Sequence, residues 1–140
     1  MKIQFLGGAN EVGKLGLLME QMHTKLLLDY GFSPAKPPKF PMPSPKVDLA
    51  LLSHCHVDHS GMMPWLCREY DAPILGTHIT ASLTHLLALD SLKVADMEGY
   101  SSPYSKHDVK KMLANFNFVR YNDTVDLAGL EIKFHSSGHL

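Results

Sequence analysis

His54-Cys55-His56-Val57-Asp58-His59 places three imidazoles and one carboxylate within six positions. Histidine is a common ligand of borderline metals, and a carboxylate suits a second or harder site. The run follows Val47-Asp48-Leu49-Ala50-Leu51-Leu52-Ser53, an apolar stretch that reads as a buried strand. Ligands at the end of a rigid strand can be held in fixed geometry. A metal-dependent hydrolase therefore heads the functional readings, ahead of a histidine-rich surface loop.

So many ligands in so few residues do not fit easily around one ion, and two neighbouring ions share them better. On this reading His54 and His56 serve one ion and Asp58 and His59 the other. Two metals about 3.5–4 Å apart can clamp both oxygens of an in-line displacement, and metal binding can lower the pKa of water to about 7.

Working outward, Lys2 to Leu6 reads as a first strand and Gly7 to Gly13 as a glycine-containing loop. Leu15 to Glu20 and Lys25 to Asp29 read as a strand pair around Gln21-Met22-His23-Thr24. Pro34, Pro37, Pro38, Pro41, Pro43 and Pro45 exclude a helix or central strand between them. That segment reads as a solvated loop beside the site, whose Lys36, Lys39 and Lys46 could reach an anion. After the histidine run a helix is predicted from about Ser60 to Tyr70, with Pro64 in its first turn. A short strand follows over Pro73 to Gly76. A long helix then spans Thr77 to about Met97, with Ile79, Leu83, Leu86, Leu87, Leu89 and Val94 as a broad apolar face. Ser105 reads as the N-cap of a further helix, with Asp108 three residues on. Strand-like runs end the chain at Phe118 to Tyr121, Thr124 to Leu127 and Leu130 to Phe134, with a turn near Ala128-Gly129. Strands and helices alternate after an opening strand pair, so the class is α/β (α+β by some schemes) with a mixed sheet.

The 140 residues suit one domain, and 45% hydrophobic with 19% charged residues is ordinary for a soluble globular chain. No apolar run approaches the roughly 20 residues of a transmembrane helix. Met1-Lys2-Ile3-Gln4-Phe5-Leu6 is too short and too polar for a signal peptide. An intracellular protein without a membrane partner is expected. Cys55 and Cys67 make no disulfide framework. The net charge of −1 counts mildly against tight nucleic-acid binding by this chain alone.

The motifs carry a resemblance. His-x-His-x-Asp-His after a buried strand is similar to the second motif of the metallo-β-lactamase fold. Gly7-Gly8-Ala9-Asn10-Glu11-Val12-Gly13 and Leu26-Leu27-Leu28-Asp29-Tyr30-Gly31 resemble the opening segments of its β-CASP branch. So do Ser53 to Gly61 with Pro64-Trp65-Leu66, and Thr77-His78-Ile79-Thr80 with Leu89-Asp90-Ser91-Leu92-Lys93-Val94. Ser137-Gly138-His139-Leu140 resembles the third motif. The resemblance covers essentially the whole chain. It lies nearest to RNA-processing nucleases related to the endonuclease subunit of cleavage and polyadenylation specificity factor, and more distantly to ribonuclease J.

The resemblance implies a zinc-dependent hydrolase of RNA phosphodiester bonds. His54, His56 and His139 would hold the first zinc, and Asp58 and His59 the second. Asp58 and His59 would be catalytic, Asp58 being placed to handle protons. Asp29 would order the histidine loop by hydrogen bonding rather than bind metal. The family continues past the third motif with a bridging aspartate, further histidines and an inserted cap. Residues 1–140 are thus expected to be the first half of an αββα sandwich, with helices on one face of the sheet. The second half and the β-CASP cap would be absent. Such a fragment is expected to hold zero or one zinc, to be inactive or weakly active alone, and to self-associate through its exposed sheet face. Leu15 stands where a small polar residue is expected and Ser137 where alanine is commoner; neither removes a ligand.

Other features carry less. Gly8-x-x-x-x-Gly13-Lys14 lacks the Ser or Thr of a phosphate-binding loop and precedes a strand, not a helix. His23, His78, His85, His107 and His135 are not spaced as a ligand set, although His78 could approach the rim of the site. Trp65 and Tyr104 could stack on a base, but Trp65 reads as core. Two alternatives remain: a small-molecule hydrolase such as a thioesterase on the same fold, and a non-catalytic metal-binding or assembly module.

Overall fold

The computed structural model describes residues 1–127 and 129–139. The chain begins with three antiparallel strands, β1 (Lys2–Gly7), β2 (Gly16–Gln21) and β3 (Thr24–Tyr30). Strand β4 (Leu49–Leu51) then joins β3 in parallel, followed in order by β5 (Ile74–Gly76) and β6 (Phe116–Phe118). The result is one six-stranded mixed sheet in the order β1-β2-β3-β4-β5-β6. Helices α1 (Val57–Ser60), α2 (Met63–Tyr70), α3 (His78–Glu98) and α4 (Lys106–Ala114) occupy the connections among β4, β5 and β6. A separate hairpin, β7 (Thr124–Leu127) and β8 (Leu130–Lys133), closes the order. Gly129 lies in its turn; Ala128 and Leu140 lie outside the described residues.

The period-two alternation of the strands sorts their side chains onto two faces. On one, Leu6, Leu18, Leu27, Ala50, Leu52 and Ile74 pack with the helices around Met63, Leu66, Val109 and Met112. On the other, Leu26, Leu49 and Leu75 are covered by Val125, Leu127, Leu130, Ile132 and Phe134. Burying each leucine of this kind stabilises the fold by about 2 kcal/mol. The second face is thus partly covered by the chain's own hairpin rather than wholly bare. Ile3 and Phe5 on β1 remain 54% and 49% exposed.

Three local expectations need revision. The helix predicted from Ser60 is two: α1 ends at Ser60 and α2 begins at Met63. Pro64 has no N–H to offer the Ser60 carbonyl and its ring would crowd it, so the ladder cannot run through. Helix α3 turns Thr80, Ala81, Thr84 and Ala88 to the core, while Ile79 (58%), Leu86 (62%) and Val94 (48%) are exposed. Apolar residues occur around most of this helix, so no single stripe marks the buried side. The strand expected over Phe118 to Tyr121 is instead β6, which ends at Phe118 before a turn with Asn122 at φ 70°. The capping box at Ser105 and Asp108 forms as read.

The proline-rich segment is less free than expected. The buried Tyr30 hydroxyl donates to the Met42 carbonyl and accepts from the Ser44 N–H, both at 3.0 Å. Burial pushes the Tyr30 phenol up to about 12, so it stays neutral and both bonds persist. Lys36 pairs with Glu98 of α3 at 2.8 Å. Both cysteines are free and buried. No described helix is long and apolar enough to cross a membrane.

Candidate metal centre

Parallel pairing of β3 with β4 matches Leu28 to Leu51, which brings Asp29 beside Ser53 where both strands end. Asp29 is 7% exposed and sits in the left-handed region at φ 53°. Its Oδ1 accepts the Ser53 N–H at 2.8 Å. Its Oδ2 accepts the Ser53 hydroxyl at 2.7 Å and the His59 Nδ1–H at 2.8 Å. The Ser53 hydroxyl has one proton and spends it on Asp29. Its oxygen, 2.9 Å from His54 Nδ1, must therefore accept from that ring. Asp29 thus sets the tautomer of two histidines, one directly and one through Ser53. In the neutral form of each ring the proton sits on Nδ1 and Nε2 is left free, as a metal ligand requires.

The loop between them is short and closely braced. The His59 and Ser60 N–H groups bond the His56 carbonyl at 2.9 and 2.8 Å, which makes α1 a single turn. The Leu15 N–H donates to the Asp58 carbonyl at 2.9 Å, and the Phe32 N–H to that of Val57 at 3.1 Å. The residue leading from the glycine loop into β2 thus brings backbone to the site. Because the contact is a backbone N–H, the departure at Leu15 leaves it intact. A Cβ on Gly31 would lie 2.0 Å from the Asp58 carbonyl carbon, so only glycine lets β3 approach the loop this closely.

Ligand atoms of His54, His56 and His139 lie within 4.8 Å of one another. His54 Nε2 is 3.1 Å from His56 Nδ1, and the His139 ring lies 4.9 and 5.1 Å from those of His54 and His56. Beside them, His59 Nε2 is 3.8 Å from Asp58 Oδ2. Burial and then the neighbouring His59 hold His54 below the usual imidazole range, which keeps it neutral. The hydrogen bond that His59 donates to the Asp29 carboxylate raises the His59 pKa. Three imidazoles with oriented nitrogens and an adjacent carboxylate–imidazole pair fit a metal centre in donor type and in supporting hydrogen bonds.

The cluster opens into a cleft of about 440 Å³ lined by Asp29, Ser53, His54, Phe134, His135 and His139. His135, whose spacing argued against a ligand role, lines the cleft without joining the described ligand group. The role of Ser53 was missed. A serine directly before the first histidine, at the end of the strand that follows the aspartate, was the available signal. Cys55 lies within the run but is buried and does not join the described ligand group. Tyr104 is 5% exposed and does not line the histidine cleft, and Trp65 packs against Tyr30 and Tyr70. A second, mostly apolar cavity of about 260 Å³ between the proline-rich segment and α3 is lined by Phe32, Phe40, Leu87 and Tyr104; no histidine lines it.

Residues 17–140 match the metallo-beta-lactamase superfamily domain, and the chain belongs to that superfamily. It is 34% identical over its whole length to a transcription termination factor FttA of Lokiarchaeum, covering 23% of that protein. It is 33% identical to a probable RNase of Methanocaldococcus jannaschii, again over the whole chain and 34% of the relative. An RNase aCSPSF2 of Saccharolobus solfataricus is 31% identical over 99% of the chain and 28% of the relative. The chain therefore spans about a quarter to a third of the curated relatives it matches. A crystal structure of an archaeal metallo-beta-lactamase superfamily protein from Sulfolobus tokodaii superposes with a TM-score of 0.55 at 18% identity. It covers 94% of this chain and 53% of that one, and supports the fold. Membership implies bound metal ions, and the histidine group is the described place for one.

Proposed function

We propose that this chain is the N-terminal part of a β-CASP-type, zinc-dependent nuclease that hydrolyses RNA phosphodiester bonds. The observation that carries the reading is the convergence of His54, His56 and His139 beside the Asp58–His59 pair, with His54 and His59 braced through Ser53 and Asp29. The names of the relatives, FttA and RNase, favour RNA as the substrate class. An intracellular location goes with that substrate.

His54, His56 and His139 would hold the first zinc, and Asp58 and His59 would contribute to a second. Zinc there would supply Lewis acidity toward a phosphoryl oxygen and lower the pKa of water to about 7. Asp29 keeps the histidine rings in their working orientation. Asp58, part-exposed beside the cluster, accepts or returns a proton at Oδ2 as the phosphodiester is cut. The net charge of −1 means that RNA affinity rests on local contacts rather than a basic field.

The test is incubation of the zinc-supplied chain with single-stranded RNA, alone and with chelator. Slow cleavage, abolished by chelator and by Asp58→Asn, is expected. Bound zinc with hydrolysis of thioesters but not RNA would move the assignment to a small-molecule hydrolase. Bound zinc with no hydrolysis of either would favour the assembly module.

We also propose that the exposed Ile3 and Phe5 edge of the second sheet face drives self-association in this 140-residue form. Sedimentation should show a species heavier than the monomer. A monomeric mass without binding of an apolar dye would refute it.

A further inference from the structure

Strand β6 lies two strands from β4 in the sheet, and both run the same way. Neighbouring strands are about 4.8 Å apart, so their C-terminal ends are offset by roughly 10 Å along one sheet edge. That edge carries the histidine loop at β4. At β5 and β6 it carries His78, the first residue of α3, and Phe118, which pairs in register with Gly76. Their ring centroids are 4.9 Å apart at 44°. Phe116 lies nearly parallel to Phe118, at 12°, and is buried, so it backs the outer ring from the core. Phe118 is nonetheless 56% exposed and His78 is also exposed.

The platform connects to the cleft through the segment that leaves β6. Arg120 is exposed and makes no ion pair among the described residues; Tyr121 is 49% exposed. The next N–H, that of Asn122, bonds the carbonyl of Phe134 at 2.9 Å, and Phe134 lines the histidine cleft. Rings that take any base on their faces, next to an unpaired guanidinium and a short step from a metal-ligand cluster, match what an unpaired nucleic-acid strand requires.

We infer that His78 and Phe118 form a stacking platform for an unpaired base of the RNA strand whose phosphate occupies the histidine cleft. This rests on the reading of the cleft as an RNA-hydrolysing site. A π-face does not discriminate among bases, so the platform places the strand without selecting sequence.

The test is fluorescence anisotropy of a short labelled oligouridylate titrated with the zinc-supplied chain. A matched strand with abasic residues is the second probe. Phe118→Ala should weaken oligouridylate binding about tenfold, His78→Ala less, and Phe118→Trp should restore it. The abasic strand should bind wild type as weakly as oligouridylate binds Phe118→Ala. Circular dichroism should be unchanged, because the ring is exposed. Equal binding by wild type and Phe118→Ala overturns the platform and leaves the RNA reading standing. Loss that Phe118→Trp does not restore also overturns it. Absence of any RNA binding by wild type, with zinc bound, overturns both.

Discussion

His54→Ala/His56→Ala is expected to abolish zinc binding, from about one ion per chain to none by elemental analysis. Removing even a supporting partner of a metal ligand typically costs about 10–100-fold in affinity, and this variant removes two of three imidazoles outright. Of the described ligand group only His139 remains, and a single imidazole falls short of the three or four protein ligands zinc takes. Both rings are part-exposed, so the fold should survive with little loss of stability. Zinc bound at wild-type stoichiometry by the variant would exclude this cluster as the first site. Zinc absent from a folded wild-type chain would mean that these ligands need residues beyond position 140 to hold an ion.

Asp29→Ala should instead damage the fold as much as the site. The carboxylate is buried and accepts three hydrogen bonds, from the Ser53 N–H, the Ser53 hydroxyl and the His59 ring. Bonds to a charged group contribute about 1.5 kcal/mol or more each, and orphaning buried donors adds to the loss. A destabilisation of about 4 kcal/mol is expected in urea denaturation. Zinc affinity should fall about 10–100-fold as the rings of His54 and His59 lose their set tautomers. Asp29→Asn tolerates the positive φ and keeps one acceptor, so it should be milder on both counts. A full loss of zinc with unchanged stability would make Asp29 a metal ligand rather than an orienting group.

The ligand run was legible because its chemistry is local. His54, His56, Asp58 and His59 fall on one loop after one apolar strand, so their proximity needs no long-range folding. The β2–β3 hairpin and the capping box at Ser105 were legible for the same reason: each is settled within a few residues. The exposed stripe of α3 was not. Its apolar residues surround the helix, and the small side chains of Ala81 and Ala88 are buried because of the elements they pack against. Nor did Phe118 stand out, since an aromatic residue at a strand end is core or surface according to which elements pack over it.

Residue type and spacing alone determined the mixed α/β class and the cluster of candidate ligands on one loop, because these depend on period, turn chemistry and short-range chelation; the superfamily was legible as a resemblance of motifs. The resemblance put His139 with His54 and His56, and the tertiary structure shows how a residue eighty positions from His59 closes against them. Asp29 was expected to order the histidine loop; only the tertiary structure decided its partners, His59 directly and His54 through Ser53. Those contacts arise from parallel pairing of β3 with β4 and from the hairpin folding over the second sheet face. Strand register and sheet order are cooperative outcomes of burying two faces at once, and no local stretch of sequence encodes them.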